Sequence, residues 1–143
     1  MKISPVVQKR IKTSHTLYDV DLILDNNITF INGDSGVGKS AVFSFIQEMM
    51  VENKNIRCLN YLDENKNYKN IIKRSKGKLF VIDNADLLLD DKLRQYIALD
   101  YKNQYVIIGR NPKGLALNQD EIYEITSEKN NGRIKFSLKK SFD

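Results

Sequence analysis

The feature that most restricts the fold is a glycine-rich loop that lies between two apolar stretches. Residues 28–31 form a short apolar run suited to a buried strand, and the loop GDSGVGKS occupies positions 33–40. After the loop, Val42, Ile46 and Met49 recur at the spacing of one face of an α-helix. The sequence therefore predicts a strand, a tight loop and a helix that packs on a sheet.

The loop combines the residue types that hold a phosphate group. Glycines let successive backbone N–H groups face one anion, and the following helix adds the positive end of its dipole. Lys39 would neutralise the terminal phosphates, and the Ser40 hydroxyl would ligate Mg²⁺. The sequence thus predicts a site for ATP with Mg²⁺, whereas a glycine turn of purely structural use is the alternative. The expected nucleotide contacts are Gly33, Ser35, Gly36, Val37, Gly38, Lys39, Ser40 and Ala41.

The rest of the chain alternates strand and helix signals. Near-continuous apolar runs at residues 79–83 and 105–109 are typical of buried parallel strands, and residues 91–101 have a helical pattern. We therefore expect a single α/β domain over residues 1–143, with a central, mostly parallel sheet, antiparallel strand additions and helices on both faces. The other predicted strands are residues 2–7, 15–24, 56–62, 121–126 and 133–138, the last two joined by a turn over residues 129–132.

Polar residues follow two of the buried strands, at the edge where ligands of open α/β sheets bind. Asp83 ends the run LFVID and is the predicted second ligand of Mg²⁺, although an acid here also serves to cap a turn. Arg110 follows the run YVIIG and would stabilise charge on a γ-phosphate, or else form a salt bridge with Asp83 or Asp86. Asn111 is a second candidate for contact with the γ-phosphate.

The phosphate loop and the acidic strand end together resemble P-loop NTPases. The resemblance is closest to the branch with an additional strand between the two motifs, which includes ABC-type and AAA+ ATPases. The strand pair before the loop, the segment NQYVIIGR and the closing strand NGRIKF are similar in order to an ABC-type nucleotide-binding domain. The resemblance implies a reduced ATP-binding domain in which Asp83 holds magnesium and Lys39 acts on the terminal phosphates, whereas Arg110 stands where these families have a switch histidine or a polar sensor.

Two departures from those families leave the activity open. No LSGGQ-like signature lies between Ser40 and Asp83, and Asn84 stands where both families usually place a catalytic glutamate. An amide cannot accept a proton from water, so Asp86 is the remaining candidate base, unless it caps the following residues or meets a basic neighbour. The sequence therefore fits a weak or partner-dependent ATPase, completed by a protein partner or a second copy. It also fits an ATP-dependent interaction module that does not hydrolyse the nucleotide.

Charge and hydropathy add limits on partners. The net charge of +5 favours polyanions, nucleic acid among them. However, the lysines between residues 66 and 78 are interspersed with asparagines and carboxylates, which is also typical of a solvated face. No run of about 18 apolar residues occurs, so we expect a cytoplasmic protein without membrane insertion. No NKxD-like stretch indicates GTP, and no compact arginine pair indicates the lid of a small-molecule kinase.

Overall fold

One curled sheet organises the chain. The computed structural model describes residues 3–33 and 38–142, and within them eight strands form a mixed sheet in the order β1-β2-β8-β7-β3-β6-β5-β4. The strands are β1 (Arg10–Ser14), β2 (Tyr18–Ile23), β3 (Ile28–Asn32), β4 (Ile56–Leu59), β5 (Leu79–Ile82), β6 (Gln104–Gly109), β7 (Ile122–Asn130) and β8 (Arg133–Lys140). The α-helices are α1 (Lys39–Glu52), α2 (Tyr68–Arg74), α3 (Ala85–Leu88) and α4 (Asp91–Leu99), and 3₁₀ turns lie at Tyr61–Asp63 and Gln119–Glu121.

Two kinds of strand pairing share this sheet. Strands β4, β5, β6, β3 and β7 run parallel to their neighbours in that order, so the carboxyl ends of β3, β5 and β6 meet at one edge. Strands β1 and β2 form an antiparallel pair, as do β7 and β8, and a parallel pairing of β2 with β8 joins the two pairs. The β7–β8 turn has φ values of 53° at Asn131 and 78° at Gly132, as a two-residue hairpin turn requires.

This architecture differs from the expected one. We expected a P-loop NTPase-like domain with a central, mostly parallel sheet and helices on both faces. The structure is instead a strongly curled, eight-stranded mixed sheet that forms a half-barrel, with 29% of the described residues in helices and 35% in strands. The predicted fold class is therefore wrong.

The connections between strands explain the low helix content. α-Helices occupy only three of the seven connections between successive described strands, those that follow β3, β4 and β5. The β7–β8 hairpin pairs with β3 on one side and with β2 on the other, so the first and last strands of the chain join the same sheet. Because each strand is rotated relative to its neighbour in the same sense, the twist accumulates over eight strands into a curl.

The described helices are short. α1 has 14 residues, α4 has 9 and α2 has 7. Within residues 3–33 and 38–142, no helix has the length and apolar character needed to cross a membrane.

Two apolar clusters hold the central strands to the helices, because alternate side chains of a strand point to opposite faces. The cluster under α1 includes Ile31, Val42, Ile46, Val81 and Val106. The cluster under α3 and α4 includes Phe30, Phe80, Leu93, Ile97 and Tyr105. Burial of each aliphatic or aromatic side chain of this size contributes about 1.5–3 kcal/mol, so the two clusters fix the strands that carry the site described below.

The amino-terminal segment is held by side chains and not by a strand ladder. The backbone N–H of Val6 donates to Asn27 Oδ1 (3.1 Å), and those of Val7 and Gln8 donate to Gln104 Oε1 (3.0 and 2.9 Å). The Gln104 side chain in turn donates to the carbonyl of Gln8 (2.8 Å). The prediction of a strand over residues 2–7 is therefore wrong for residues 3–7, because two side-chain amides supply most of the partners that a neighbouring strand would have given; residue 2 lies outside the described residues.

Charges alternate from strand to strand across the β1-β2-β8 part of the sheet. Arg10 on β1 makes two hydrogen bonds to the carboxylate of Asp21 on β2 (2.6 and 2.5 Å). Arg133 on β8 makes two to Asp19 on β2 (3.0 and 2.8 Å). An acidic strand between two basic strands favours this strand order, because like charges would meet if β1 and β8 were neighbours.

We predict that Asp19→Asn lowers the melting temperature at pH 7 and that the difference from wild type fades in acid. Hydrogen bonds from Arg133 and Ser14 lower the pKa of Asp19 from 3.8 to about 2, so the folded protein retains a charge that the unfolded chain loses first. The stabilisation is therefore complete above the unfolded pKa of 3.8 and is lost as the pH falls towards 2. Thermal melts followed by circular dichroism measure the difference.

Glu128→Gln is the matched control, since it removes one negative charge from an exposed position on β7. It should change the melting temperature little at any pH. A deficit for Asp19→Asn that stayed constant to the lowest pH would contradict the role given to the carboxylate.

Candidate functional site

Polar residues converge where β3, β5 and β6 end. The cleft at this edge is lined by Gly33, Lys39, Asp83, Asn84, Asp86, Gly109 and Arg110, together with the end of β6 at Ile108. The fold thus brings the candidate catalytic residues Lys39, Asp86 and Arg110 to one place. Ser40 and Ala41 follow Lys39 in the first turn of α1. The predicted nucleotide contacts Ser35, Gly36 and Val37 lie outside the described residues.

Two glycines allow the backbones of β3 and β6 to approach at this edge. The N–H of Gly33 donates to the carbonyl of Gly109 at 2.6 Å. A Cβ atom on Gly33 would lie 3.2 Å from that carbonyl oxygen, and one on Gly109 would lie 3.1 Å from the Cβ of Ala85. Side chains at either position would therefore push β3, β6 and α3 apart and widen the cleft.

The amino terminus of α1 opens beside the cleft. Gly38 caps the helix with a φ of 98°, and its carbonyl accepts the N–H of Val42 (2.8 Å). In the described part of the chain, no side chain caps this end and no acidic residue occupies its first turn. Because the first N–H groups of a helix have no acceptor within it, they remain available to an anion.

Gly38 is also required by its surroundings. A Cβ atom there would lie 2.5 Å from Cε1 of Phe136 on β8, in addition to the strain of the positive φ. The aromatic ring thus sets the point at which the chain enters α1, and with it the positions of Lys39 and Ser40.

Asp83 and Asn84 form the turn that follows β5. Asp83 is half-buried, and its Oδ1 accepts the N–H of Asn84 (2.9 Å). Asn84 has φ 53° and ψ 45°, the left-handed conformation that asparagine tolerates better than most residues with a side chain. Glutamate is poorly suited to this backbone. The local conformation therefore gives a physical reason for asparagine, and against glutamate, at the position where the sequence resemblance to P-loop NTPases predicts a catalytic glutamate.

Asp86 already has partners for both of its oxygens. Oδ2 accepts the backbone N–H of Arg110 (2.8 Å), and Oδ1 accepts that of Asn111 (3.1 Å). The guanidinium of Arg94 lies 3.5 Å from Oδ1. These contacts match the alternative in which Asp86 meets a basic neighbour, and they favour a role in fixing the turn that carries Arg110 over a role as a base.

Arg94 is a residue that the sequence reasoning missed. It is 5% exposed, and it donates to the carbonyls of Leu89 (3.1 Å), Asn111 (2.6 Å) and Lys113 (2.7 Å) as well as contacting Asp86. A signal was present in the sequence, because Arg94 lies three residues before Ile97 and next to Leu93, on the apolar face of α4. A cation on such a face needs acceptors, and the loop after β6 supplies them.

A second cleft adjoins Lys39 and Ser40 on the side of the β7–β8 hairpin. Its walls include Tyr18, Ser127, Ile134 and Phe136. The rings of Tyr18 and Phe136 are stacked, with centroids 5.9 Å apart and an angle of 12° between their planes. Its volume of about 390 Å³ falls within the range of small-molecule pockets, about 300–1,000 Å³. The sequence pattern did not reveal this wall, because it joins three segments that are distant along the chain.

The donor set fits magnesium bound with a triphosphate. Magnesium in such sites keeps several waters and takes one or two protein oxygens beside those of the phosphates. A hydroxyl from Ser40 and a carboxylate from Asp83 are oxygens of that kind. No cluster of three or more histidine, cysteine, aspartate or glutamate ligands occurs among the described residues.

No protein-family model, curated protein or solved structure matches this chain. Function is therefore inferred from the residues of the two clefts.

We predict that Arg94→Met destabilises the protein by at least about 2 kcal/mol, because the buried hydrogen bond to Leu89, the part-buried bonds to Asn111 and Lys113, and the contact with Asp86 all lose their charged donor. Arg94→Lys should recover only part of this loss, since an ammonium group cannot reproduce the fork of a guanidinium. Urea unfolding measures the free energy. Lys92→Met, at an exposed position of the same helix, should stay within about 0.5 kcal/mol of wild type. Equal stability of Arg94→Met and wild type would show that the contacts are dispensable.

Proposed function

We propose that this protein binds ATP with Mg²⁺ at the edge where β3, β5 and β6 end. The observation that carries the proposal is the convergence of Lys39, the open amino terminus of α1, Asp83 and Arg110 around one cleft. The cations and N–H donors suit a triphosphate, and the carboxylate of Asp83 suits the accompanying cation. The assignment of these residues to a nucleotide site is therefore a proposal. It rests on the local geometry of the cleft and does not require the predicted fold class.

The second cleft supports a nucleotide over a simple phosphate. It begins at Lys39 and Ser40 and is lined by Tyr18 and Phe136, so a group joined to the phosphates would lie against an aromatic wall. The accessible ring of this wall is the half-buried Tyr18, since the Phe136 ring stacked on it is only 4% exposed. Purine bases bind to such walls by stacking. The absence of an NKxD-like stretch in the sequence favours adenine over guanine.

We propose weak ATP hydrolysis as the activity, completed by a protein partner or a second copy. Lys39 and Arg110 supply positive charge where negative charge develops during phosphoryl transfer. A general base is the part that the described cleft lacks, because Asn84 is an amide and both oxygens of Asp86 accept backbone N–H groups. The same observation favours a second candidate function, an interaction module that responds to bound ATP without hydrolysing it.

The binding proposal predicts heat of ATP uptake in isothermal titration calorimetry with millimolar Mg²⁺. Lys39→Ala should weaken binding by about tenfold or more, because a charge-assisted hydrogen bond contributes about 1.5–3 kcal/mol and 1.4 kcal/mol corresponds to tenfold. Lys92→Ala removes the same charge from an exposed position of α4 and should bind like wild type. Failure of wild type to take up ATP, or equal affinity of Lys39→Ala, would refute the proposal.

Hydrolysis is tested by phosphate release from wild type and from two variants of Asn84. Asn84→Asp keeps a residue that tolerates the left-handed backbone and adds a carboxylate, so it should raise turnover by about tenfold or more. Asn84→Gly also keeps the backbone but adds no base, and should stay at the wild-type rate. Turnover that is fast in wild type and abolished by Lys39→Ala would exclude the interaction module. Retained ATP binding without phosphate release from wild type or Asn84→Asp would favour that module.

A further inference from the structure

A row of basic side chains lies at the opposite edge of the sheet, where β4, β5 and β6 begin. Lys54, Lys78 and Lys102 each occur one or two residues before one of these strands. Backbone contacts hold their segments together. The N–H of Gly77 donates to the carbonyl of Lys102 (2.8 Å), and that of Gln104 donates to the carbonyl of Lys78 (2.8 Å). The Lys78 ammonium group in turn donates to the carbonyl of Lys54 (2.8 Å).

The carboxyl end of α2 extends this row. The ammonium groups of Lys73 and Lys102 lie 5.9 and 5.8 Å from the centroid of the Tyr96 ring, and the Tyr96 hydroxyl donates to the carbonyl of Lys73 (3.3 Å). Arg74 and Lys76 follow directly in the chain, both exposed. We name the whole set the basic edge; it consists of Lys54, Lys73, Arg74, Lys76, Lys78 and Lys102.

The basic edge concentrates the charge of the protein. Its six cations exceed the net charge of +5 on the whole chain, so the remaining residues together carry a charge of −1. Elsewhere, cations such as Arg10, Arg133 and Lys69 form ion pairs with carboxylates. Over residues 3–33 and 38–142, no ion pair links a carboxylate to any member of the basic edge. Lys73 and Lys102 interact electrostatically with Asp90 and Asp100 at longer range, so the low content of close ion pairs, and not a lack of nearby carboxylates, distinguishes this edge from an ordinary solvated face.

Asp100, two residues before Lys102, is turned inward, whereas Glu52, two residues before Lys54, is exposed. Asp100 is 6% exposed, and its carboxylate accepts the Tyr105 hydroxyl (2.6 Å), the Asn103 side chain (3.0 Å) and the N–H of Lys102 (2.9 Å). Two apolar side chains beside it face outward instead, since Leu99 is 72% exposed and Tyr101 is 56% exposed. The basic edge is therefore flanked by an exposed aromatic ring.

We propose that the basic edge binds single-stranded nucleic acid, with phosphates on the cations and a base stacked on Tyr101. Closely spaced cations suit a polymer that carries a charge at every unit. The exposed ring favours a single strand over a duplex, whose bases are already stacked, and over an acidic polypeptide, which carries no base to stack. This site lies at the other end of β5 and β6 from the proposed nucleotide cleft. The proposal for the basic edge therefore does not depend on the proposal for the cleft.

The test is fluorescence anisotropy of a labelled oligothymidylate with the full chain, over about 50 to 200 mM salt. Wild type should bind with an affinity that falls steeply with salt. The triple variant Arg74→Gln/Lys76→Gln/Lys102→Gln should bind at least about tenfold more weakly at low salt. It should also reduce the slope of log affinity against log salt by about 2, since each phosphate contact to a single strand contributes about 0.7.

The matched control is Lys12→Gln/Lys129→Gln/Lys140→Gln, which removes the same three charges from exposed positions on β1, β7 and β8. It should keep the wild-type slope. Tyr101→Ala should weaken binding while Tyr101→Phe retains it, and circular dichroism should give the wild-type spectrum for every variant. No binding by wild type, equal losses in the two triple variants, or equal affinity for labelled polyglutamate and for the oligothymidylate would overturn the proposal.

Discussion

The parallel pairing of β3 on both of its sides is the constraint on which the rest of the structure depends. β3 pairs with β6 through five residues and with β7 through Phe30 and Ile31, so it joins the helix-covered strands to the hairpin part of the sheet. Its register against β6 sets Asn32 opposite Gly109, and the next hydrogen bond links Gly33 to Gly109. A shift of one residue would turn the apolar side chains of β3 to the wrong clusters and separate the residues of the cleft.

The cleft also shows how structural and chemical demands compete for the same groups. Asp86 is a carboxylate that lines the cleft and was the candidate base predicted from the sequence. Its oxygens, however, accept the backbone N–H groups of Arg110 and Asn111. Arg94 reinforces the same turn from beneath through the carbonyls of Asn111 and Lys113. The loop after β6 is therefore ordered at the expense of a free carboxylate, which favours stable placement of Arg110 over proton abstraction.

Local signals in the sequence predicted the strands and the helix near the cleft. They did not predict which distant strands pair with one another. The run LFVID, the run YVIIG and the periodicity of Leu93 and Ile97 correspond to β5, β6 and α4, because each is encoded within a few residues. The half-barrel depends on the pairing of β2 with β8, which joins Asp19 to Arg133 across 114 positions of the chain. No short pattern carries that information.

The same distinction applies to the residues of the site. The spacing of Gly33, Gly38, Lys39 and Ser40 predicts a phosphate site from one short stretch of sequence, and this remains a prediction. The left-handed backbone of Asn84 could not be predicted from the sequence, since asparagine occurs in many conformations. The wall formed by Tyr18 and Phe136 required the curl of the sheet to bring β2 and β8 over the start of α1.

A half-barrel, unlike a closed barrel, keeps two strands with one unpaired side each. β1 and β4 have only five and four residues, and they carry Arg10, Lys12 and Arg57 at exposed positions. Short edge strands that carry positive charge repel identical edge strands on neighbouring molecules, which limits the stacking of copies into fibrils. Substituting threonine for Lys12 and Arg57 would remove charge from both edge strands and leave the Arg10–Asp21 ion pair in place, so the solubility of the protein in concentrated solution depends on a few side chains at the margins of the sheet.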